Sequence, residues 1–163
     1  MSHGAEELAM STSALDGVIR DRRHLQLVRV YYEDTDFSGI VYHASYLRFM
    51  ERGRTNYLRL LGADQRAMFE EVAKEAPGFA FVVRSMTIDF RKPARMDDVL
   101  EIVTAPIEVK GASIVLHQRV KRDDELLVEA TVQVAFVSGG RARPIPKALR
   151  TAMKAGQAPA GED

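Results

Sequence analysis

The chain has 163 residues, 46% of them hydrophobic, with 23 Lys plus Arg balancing 23 Asp plus Glu and no cysteine. That length suits one domain with one core. The charge balance argues against a nucleic-acid binder held by a general positive field, and the missing thiols exclude disulfides, thiolate metal sites and a cysteine nucleophile.

Residues 1–22 are small, polar and aperiodic and read as a loose tail. Their acids, with no basic start and apolar stretch behind it, do not make a secretory signal. No apolar run approaches the roughly 20 residues of a membrane span. A cytoplasmic protein is expected. The domain is expected over residues 23–154, with residues 155–163 a second tail.

LQLVRVYYE, from Leu25 to Glu33, alternates and is rich in β-branched and aromatic residues, so it predicts a strand. DTDFSG then breaks the pattern. In HASYLRFMERGRTNYLRLLG, Tyr46, Leu47, Met50, Arg54, Tyr57, Leu58 and Leu61 recur at helical spacing, and Gly62 sits where a C-terminal cap would. Gly53 inside this helix implies close approach to a sheet, since glycine otherwise costs about 1 kcal/mol there.

A short polar, partly helical stretch comes next. Four strands follow, at about Phe79–Phe90, Val99–Val109, Ser113–Arg122 and Leu126–Val137, and PKALRTAMK suggests a last short helix. Turns as short as KGAS and RDDE join antiparallel neighbours. The sum is an α+β layer structure, one antiparallel sheet with one long helix laid on it.

YYEDTDFSGIVYHASY runs from a strand end through a tight loop into the long helix. A helix N-terminus offers unpaired N–H groups and partial positive charge, which suits a developing oxyanion. Asp36 just upstream can serve as nucleophile or as general base on water. Tyr32 and His43 reach it only if the loop folds back, and Gly39 permits that bend. Taken singly, each has a plain alternative: Asp34 and Asp36 as turn formers, His43 as a helix-start residue, Tyr32 as core.

The stretch YYEDTDFSGIVYHASYLRFMERGRTNYLRLLG resembles the signature of the hot-dog acyl-CoA thioesterases. It is most similar to the Tol-Pal-associated branch called YbgC, beside the 4-hydroxybenzoyl-CoA thioesterases. The similarity continues through FAFVVRSMTIDFRKPARMDDVLEI to PIPKALR, roughly residues 25–150. The resemblance implies a hot-dog fold, a five-stranded antiparallel sheet wrapped round one long helix, acting on acyl-CoA without a cofactor or metal. It implies Asp36 as the catalytic carboxylate, with Tyr32 and His43 in the active-site set and an oxyanion-binding amide near His43. It also implies a homodimer or homotetramer with sites at the dimer interface. Delivery of the acyl group from coenzyme A or from acyl carrier protein stays open.

This chain departs from the 4-hydroxybenzoyl-CoA enzymes in one place. Their basic cluster before the strand starting at Ser113 is reduced here to Lys110. Arg84, Lys92 and Arg95 are the other candidates for CoA phosphates, and each is equally readable as a solvated strand-end cation. Three competing functions remain in view. A DTD-type metal phosphatase would need alternating parallel α/β units. A hot-dog dehydratase would use Glu51 on the long helix. A catalytically silent acyl-binding protein would have no need of Asp36.

Overall fold

The structure, a computed structural model, describes residues 15–158. The strands are β1 (Val18–Arg20), β2 (Arg23–Arg29), β3 (Ala80–Phe90), β4 (Val99–Val109), β5 (Ser113–Arg122), β6 (Glu125–Ser138) and β7 (Arg141–Ala142). The helices are α1 (His43–Asp64), α2 (Arg66–Glu75) and α3 (Lys147–Ala155). One antiparallel sheet runs in the order β1-β2-β4-β5-β6-β3, with β7 pairing to β6. The five long strands are those expected, and the two short ones are additions.

α1 lies on the sheet because one stripe of it is apolar. Tyr46, Phe49, Met50, Gly53 and Tyr57 are buried, at steps of three and four that fall on one face. Phe49 takes the place expected of Leu47, which is 41% exposed. The core on the other side of this stripe is Leu100 and Ile102 from β4, Ile114, Leu116 and Val120 from β5, and Val128, Val132 and Phe136 from β6.

Gly53 is where helix and sheet come closest. A Cβ there would stand 3.0 Å from both Ile102 Cγ2 and Thr104 Oγ1 and 3.4 Å from Gln118 Nε2. The buried Gln118 amide uses that space, donating to the Met50 carbonyl at 2.9 Å and to Thr104 Oγ1 at 2.8 Å. Arg54 NH1 donates to Gln118 Oε1 at 2.9 Å. The close approach read from Gly53 is thus what the structure contains.

Three boundaries differ from expectation. β2 stops at Arg29, and Tyr32–Asp34 form one turn of 3-10 helix, because Asp34 folds back to accept the Tyr31 N–H at 2.8 Å. Gly62 does not cap α1, which continues to Asp64 before Gln65 ends it. The segment read as tail holds β1 from residue 18, where Val18 pairs with Leu25. Leu15 and Asp16 are tied in as well: Gln26 Nε2 donates to the Leu15 carbonyl, and Arg59 pairs with Asp16 at 3.3 Å. Beyond α3, the Ala158 N–H bonds to the Pro106 carbonyl at 2.9 Å. The rest of both expected tails, residues 1–14 and 159–163, lies outside the described residues.

Candidate active site

The loop of residues 35–42 turns tightly between the 3-10 turn and α1. The Asp36 N–H bonds to the Ile40 carbonyl at 2.8 Å, and the Gly39 N–H returns to the Asp36 carbonyl at 3.1 Å. Gly39 has φ 81°, a left-handed conformation that L side chains resist, so the anticipated bend is present. Thr35 bridges Val41 and closes the loop at its base.

Within it the Asp36 carboxylate is fixed on one side only. Ser38 donates to Oδ1 twice, from its N–H at 2.8 Å and its hydroxyl at 2.6 Å. Among the described residues no donor reaches Oδ2. The Ser38 hydrogen bonds hold the carboxyl below the usual aspartate range, with the Ile40 backbone and then His43 adding smaller pulls. Asp36 is therefore a fixed, ionised, solvent-facing carboxylate with one oxygen uncommitted.

Asp34 is a turn residue. Besides the Tyr31 N–H on its carboxylate, its carbonyl accepts the Tyr42 N–H and the Ser45 hydroxyl, both at 3.0 Å. It thereby anchors the start of α1. Tyr42 is the N-cap residue and supplies no side-chain cap. The His43 N–H, at the first helical position, makes no hydrogen bond among the described residues, and it sits where the helix dipole is positive.

The His43 ring lies tilted against two aromatic rings, Tyr42 at 4.9 Å and Phe90 at 5.7 Å. Tyr32 is not drawn in. It is 82% exposed on the 3-10 turn, and its side chain makes no hydrogen bond among the described residues. Of the three residues expected together, Asp36 and His43 share a loop and helix start, while Tyr32 points to solvent.

A cleft of about 250 Å³ opens beside the helix start, lined by Ile40, Val41, His43, Tyr46, Phe90, Arg91, Lys92 and Pro93. Half of that lining comes from the end of β3 and the connection after it, of which the sequence reading named only Lys92. Proximity of residues some 50 positions apart leaves no local signal. Ser38 had one, since Asp followed two residues on by Ser is an Asx-turn pattern.

The four proposed phosphate-binding cations do not converge in one protomer. Lys92 borders the cleft but is paired with Glu125 at 2.8 Å. Arg95 is exposed on the same connection, and Arg84 is exposed at the bulge in mid-β3. Lys110 follows the far end of β4, about 33 Å along the strand from Val99 at the usual rise.

Glu51 lies elsewhere. It accepts the Thr55 hydroxyl at 2.6 Å and helps line a separate cavity of about 160 Å³ with Arg54, Tyr57, Phe81, Val83 and Met153. The wholly antiparallel sheet removes the parallel α/β framework that the metal-phosphatase reading required.

One long helix laid across an antiparallel sheet, with an aspartate loop at the helix start, defines a hot-dog domain. A family model described as the thioesterase-like superfamily matches residues 30–153, and the chain belongs to that superfamily. Within it, the chain is similar to the acyl-CoA thioesterase YbgC of Haemophilus influenzae, 47% identical over 77% of this chain and 90% of the relative. It is also similar to the acyl-CoA thioester hydrolase YbgC of Escherichia coli O6:H1, 46% identical over 75% of this chain and 89% of the relative. Among solved structures, a probable thioesterase from Bartonella henselae superposes with TM-score 0.64 at 38% identity, covering 76% of this chain and 98% of that one. Among the described residues, no helix is long and apolar enough to cross a membrane.

Proposed function

We propose that this chain hydrolyses acyl-CoA thioesters to the free acid and coenzyme A. The observation that carries the reading is the Asp36 carboxylate, ionised and held through Oδ1, in the loop that leads into the uncapped start of α1. The similarity to relatives named acyl-CoA thioesterases supports the substrate class.

The free Oδ2 has two possible tasks. It attacks the thioester carbon and expels the CoA thiolate, leaving an anhydride for water to open, or it takes a proton from the attacking water. In both, negative charge grows on the carbonyl oxygen, and in this reading the His43 N–H at the helix start receives it. His43 contributes its backbone there, while its ring walls the cleft. Arg84, Lys92, Arg95 and Lys110 are proposed as phosphate contacts, Lys110 only through a second protomer, and the acyl donor is coenzyme A or acyl carrier protein.

A second reading has one observation behind it: Glu51 lines an apolar cavity, as a dehydratase acid on the central helix would. One assay separates the two. Wild type is screened on acyl-CoAs of graded length with a free-thiol readout, beside Asp36→Asn and Glu51→Gln. Thioesterase action predicts thiol release, with kcat for Asp36→Asn lower by about a hundredfold or more. KM should be little changed, because Asn keeps the size and the substrate still binds. Full turnover in Asp36→Asn with loss in Glu51→Gln reverses the assignment, and no thiol release by wild type leaves the acyl-binding role.

A further inference from the structure

The connection from β3 to β4, residues 91–98, contacts both the aspartate loop and α1, and near its centre is Ala94, fully buried. Both backbone polar groups of Ala94 are taken by the two halves of the site. Its carbonyl accepts the Val41 N–H from the aspartate loop at 2.8 Å. Its N–H donates to the hydroxyl of Tyr46, on the first turn of α1, at 2.9 Å. Next to it, Arg95 bridges Ile40, and Ile40 is the residue whose carbonyl holds the Asp36 N–H at 2.8 Å.

A continuous chain of contacts therefore runs from the helix to the carboxylate: Tyr46 hydroxyl, Ala94, Val41 and Ile40, Asp36. The outer side of the same connection is stapled separately. Arg122 bonds Asp98 Oδ2 at 2.7 Å and also Glu125, Glu125 bonds Lys92 at 2.8 Å, and Asp98 accepts the Arg95 N–H at 2.9 Å. Those ion pairs fix where the connection sits on the sheet. Tyr46 alone among these side chains ties it to α1.

We propose that Tyr46 is a positioning residue for the thioesterase site: its hydroxyl, through Ala94, sets the distance between the Asp36 loop and the amide end of α1. Nucleophile or base on one element must meet an oxyanion donor on another, and a shift on the order of 1 Å between them costs up to about a hundredfold in rate. Tyr46 is 3% exposed, and the role needs no contact with substrate. The inference rests on the proposed hydrolysis at Asp36.

Tyr46→Phe removes only the hydroxyl. The control is Tyr57→Phe on the same helix, where a buried tyrosine makes no hydrogen bond among the described residues and lies outside the aspartate loop. The expected result for Tyr46→Phe is a kcat roughly tenfold or more below wild type with KM within about twofold. Amide exchange at Ala94 and Val41 should quicken, while Tyr57→Phe keeps wild-type kcat. A kcat for Tyr46→Phe within twofold of wild type overturns the proposal, as does an equal loss in Tyr57→Phe. The exchange rates need no turnover. Unchanged rates sink the clamp itself, whereas quickened exchange in a protein that releases no thiol sinks the hydrolase reading instead.

Discussion

Asp36 and Asp34 stand two positions apart in one loop and do opposite work, and the difference lies in how many donors each has taken. Asp34 has its carboxylate on a backbone N–H and its carbonyl doubly used, so Asp34→Asn should lower the melting temperature more than it lowers kcat. Asp36 leans mainly on Ser38, with weaker pulls from the Ile40 backbone and His43. Hydrogen bonds to the ionised form lower a carboxyl's pKa, so the acid limb of kcat/KM should lie below the ordinary aspartate value of about 3.9. Ser38→Ala removes the hydroxyl donor, the largest cause of the shift. The carboxyl should then protonate at higher pH, and the acid limb should move up. A pH–rate profile from pH 3 to 7 on one good acyl-CoA checks this. An acid limb that stays put in Ser38→Ala would mean that Asp36 is not the group titrating.

Gly53 shows an element-scale constraint that ordinary helix propensity would misjudge. Gly53→Ala in an exposed helix gains about 1 kcal/mol. Here the new methyl meets Ile102 and Thr104 at 3.0 Å, and Thr104 is pinned by Gln118. Both neighbours are β-branched and stiff, so they cannot turn aside, and overpacking of this kind costs about 1–3 kcal/mol. A net loss is expected, read as a lower denaturant midpoint, and a gain would show that the interface has slack. The joint between β1, β2 and α1 carries a pH-dependent element. His24 is fully buried, bonds the Asp16 carbonyl at 2.8 Å through Nε2 and leaves Nδ1 without a partner. Burial lowers its pKa against the pull of Asp16. The unfolded chain then binds a proton near pH 6.5 that the folded chain refuses. Stability is full above that pH and declines as pH falls through it toward the folded value, so the melting temperature should drop from pH 7.5 to 5. His24→Gln should flatten that portion. The sequence made the helix and four long strands readable because periodicity is local, and Gly53 betrayed its contact because glycine has few other reasons to be there. It misplaced the end of β2, since YYE has strand composition and only the Asp34 carboxylate pulls it into a turn. Tyr32 sits on that turn and not in a strand. The cleft wall from Phe90 to Pro93 and the Tyr46–Ala94 bond depend on pairing across the fold, which no window of sequence contains.

At the scale of the molecule, the sheet has two very different ends. Among the described residues, one closes on β1, three residues long, while the other ends on β3, eleven residues paired on one side only, to β6. β3 exposes Val82 at 50%, Val83 at 43% and Phe90 at 49%. A long apolar edge of this kind invites another strand, and proteins that stay monomeric usually blunt it with lysine or proline. β3 has neither, and its one cation is Arg84. We propose that a second copy covers it by antiparallel pairing about a two-fold axis, as the resemblance to dimeric hot-dog enzymes implies. Such pairing sets the Phe90 end of one β3 against the Ala80–Val83 end of the other. The cleft beside Phe90 and His43 then borders the partner's Ala80–Val83 end, which Arg84 follows. Sedimentation at micromolar concentration should give a dimer or a dimer of dimers. Replacing Val82 and Val83 together by Lys places like charges on both sides of the seam. It should yield a folded monomer with the far-ultraviolet spectrum retained and hydrolysis at least tenfold down, because a cleft completed by the partner is left open. A wild-type protein that sediments as a monomer would refute the pairing. A Lys variant that is monomeric yet fully active would refute the shared site while leaving the dimer intact.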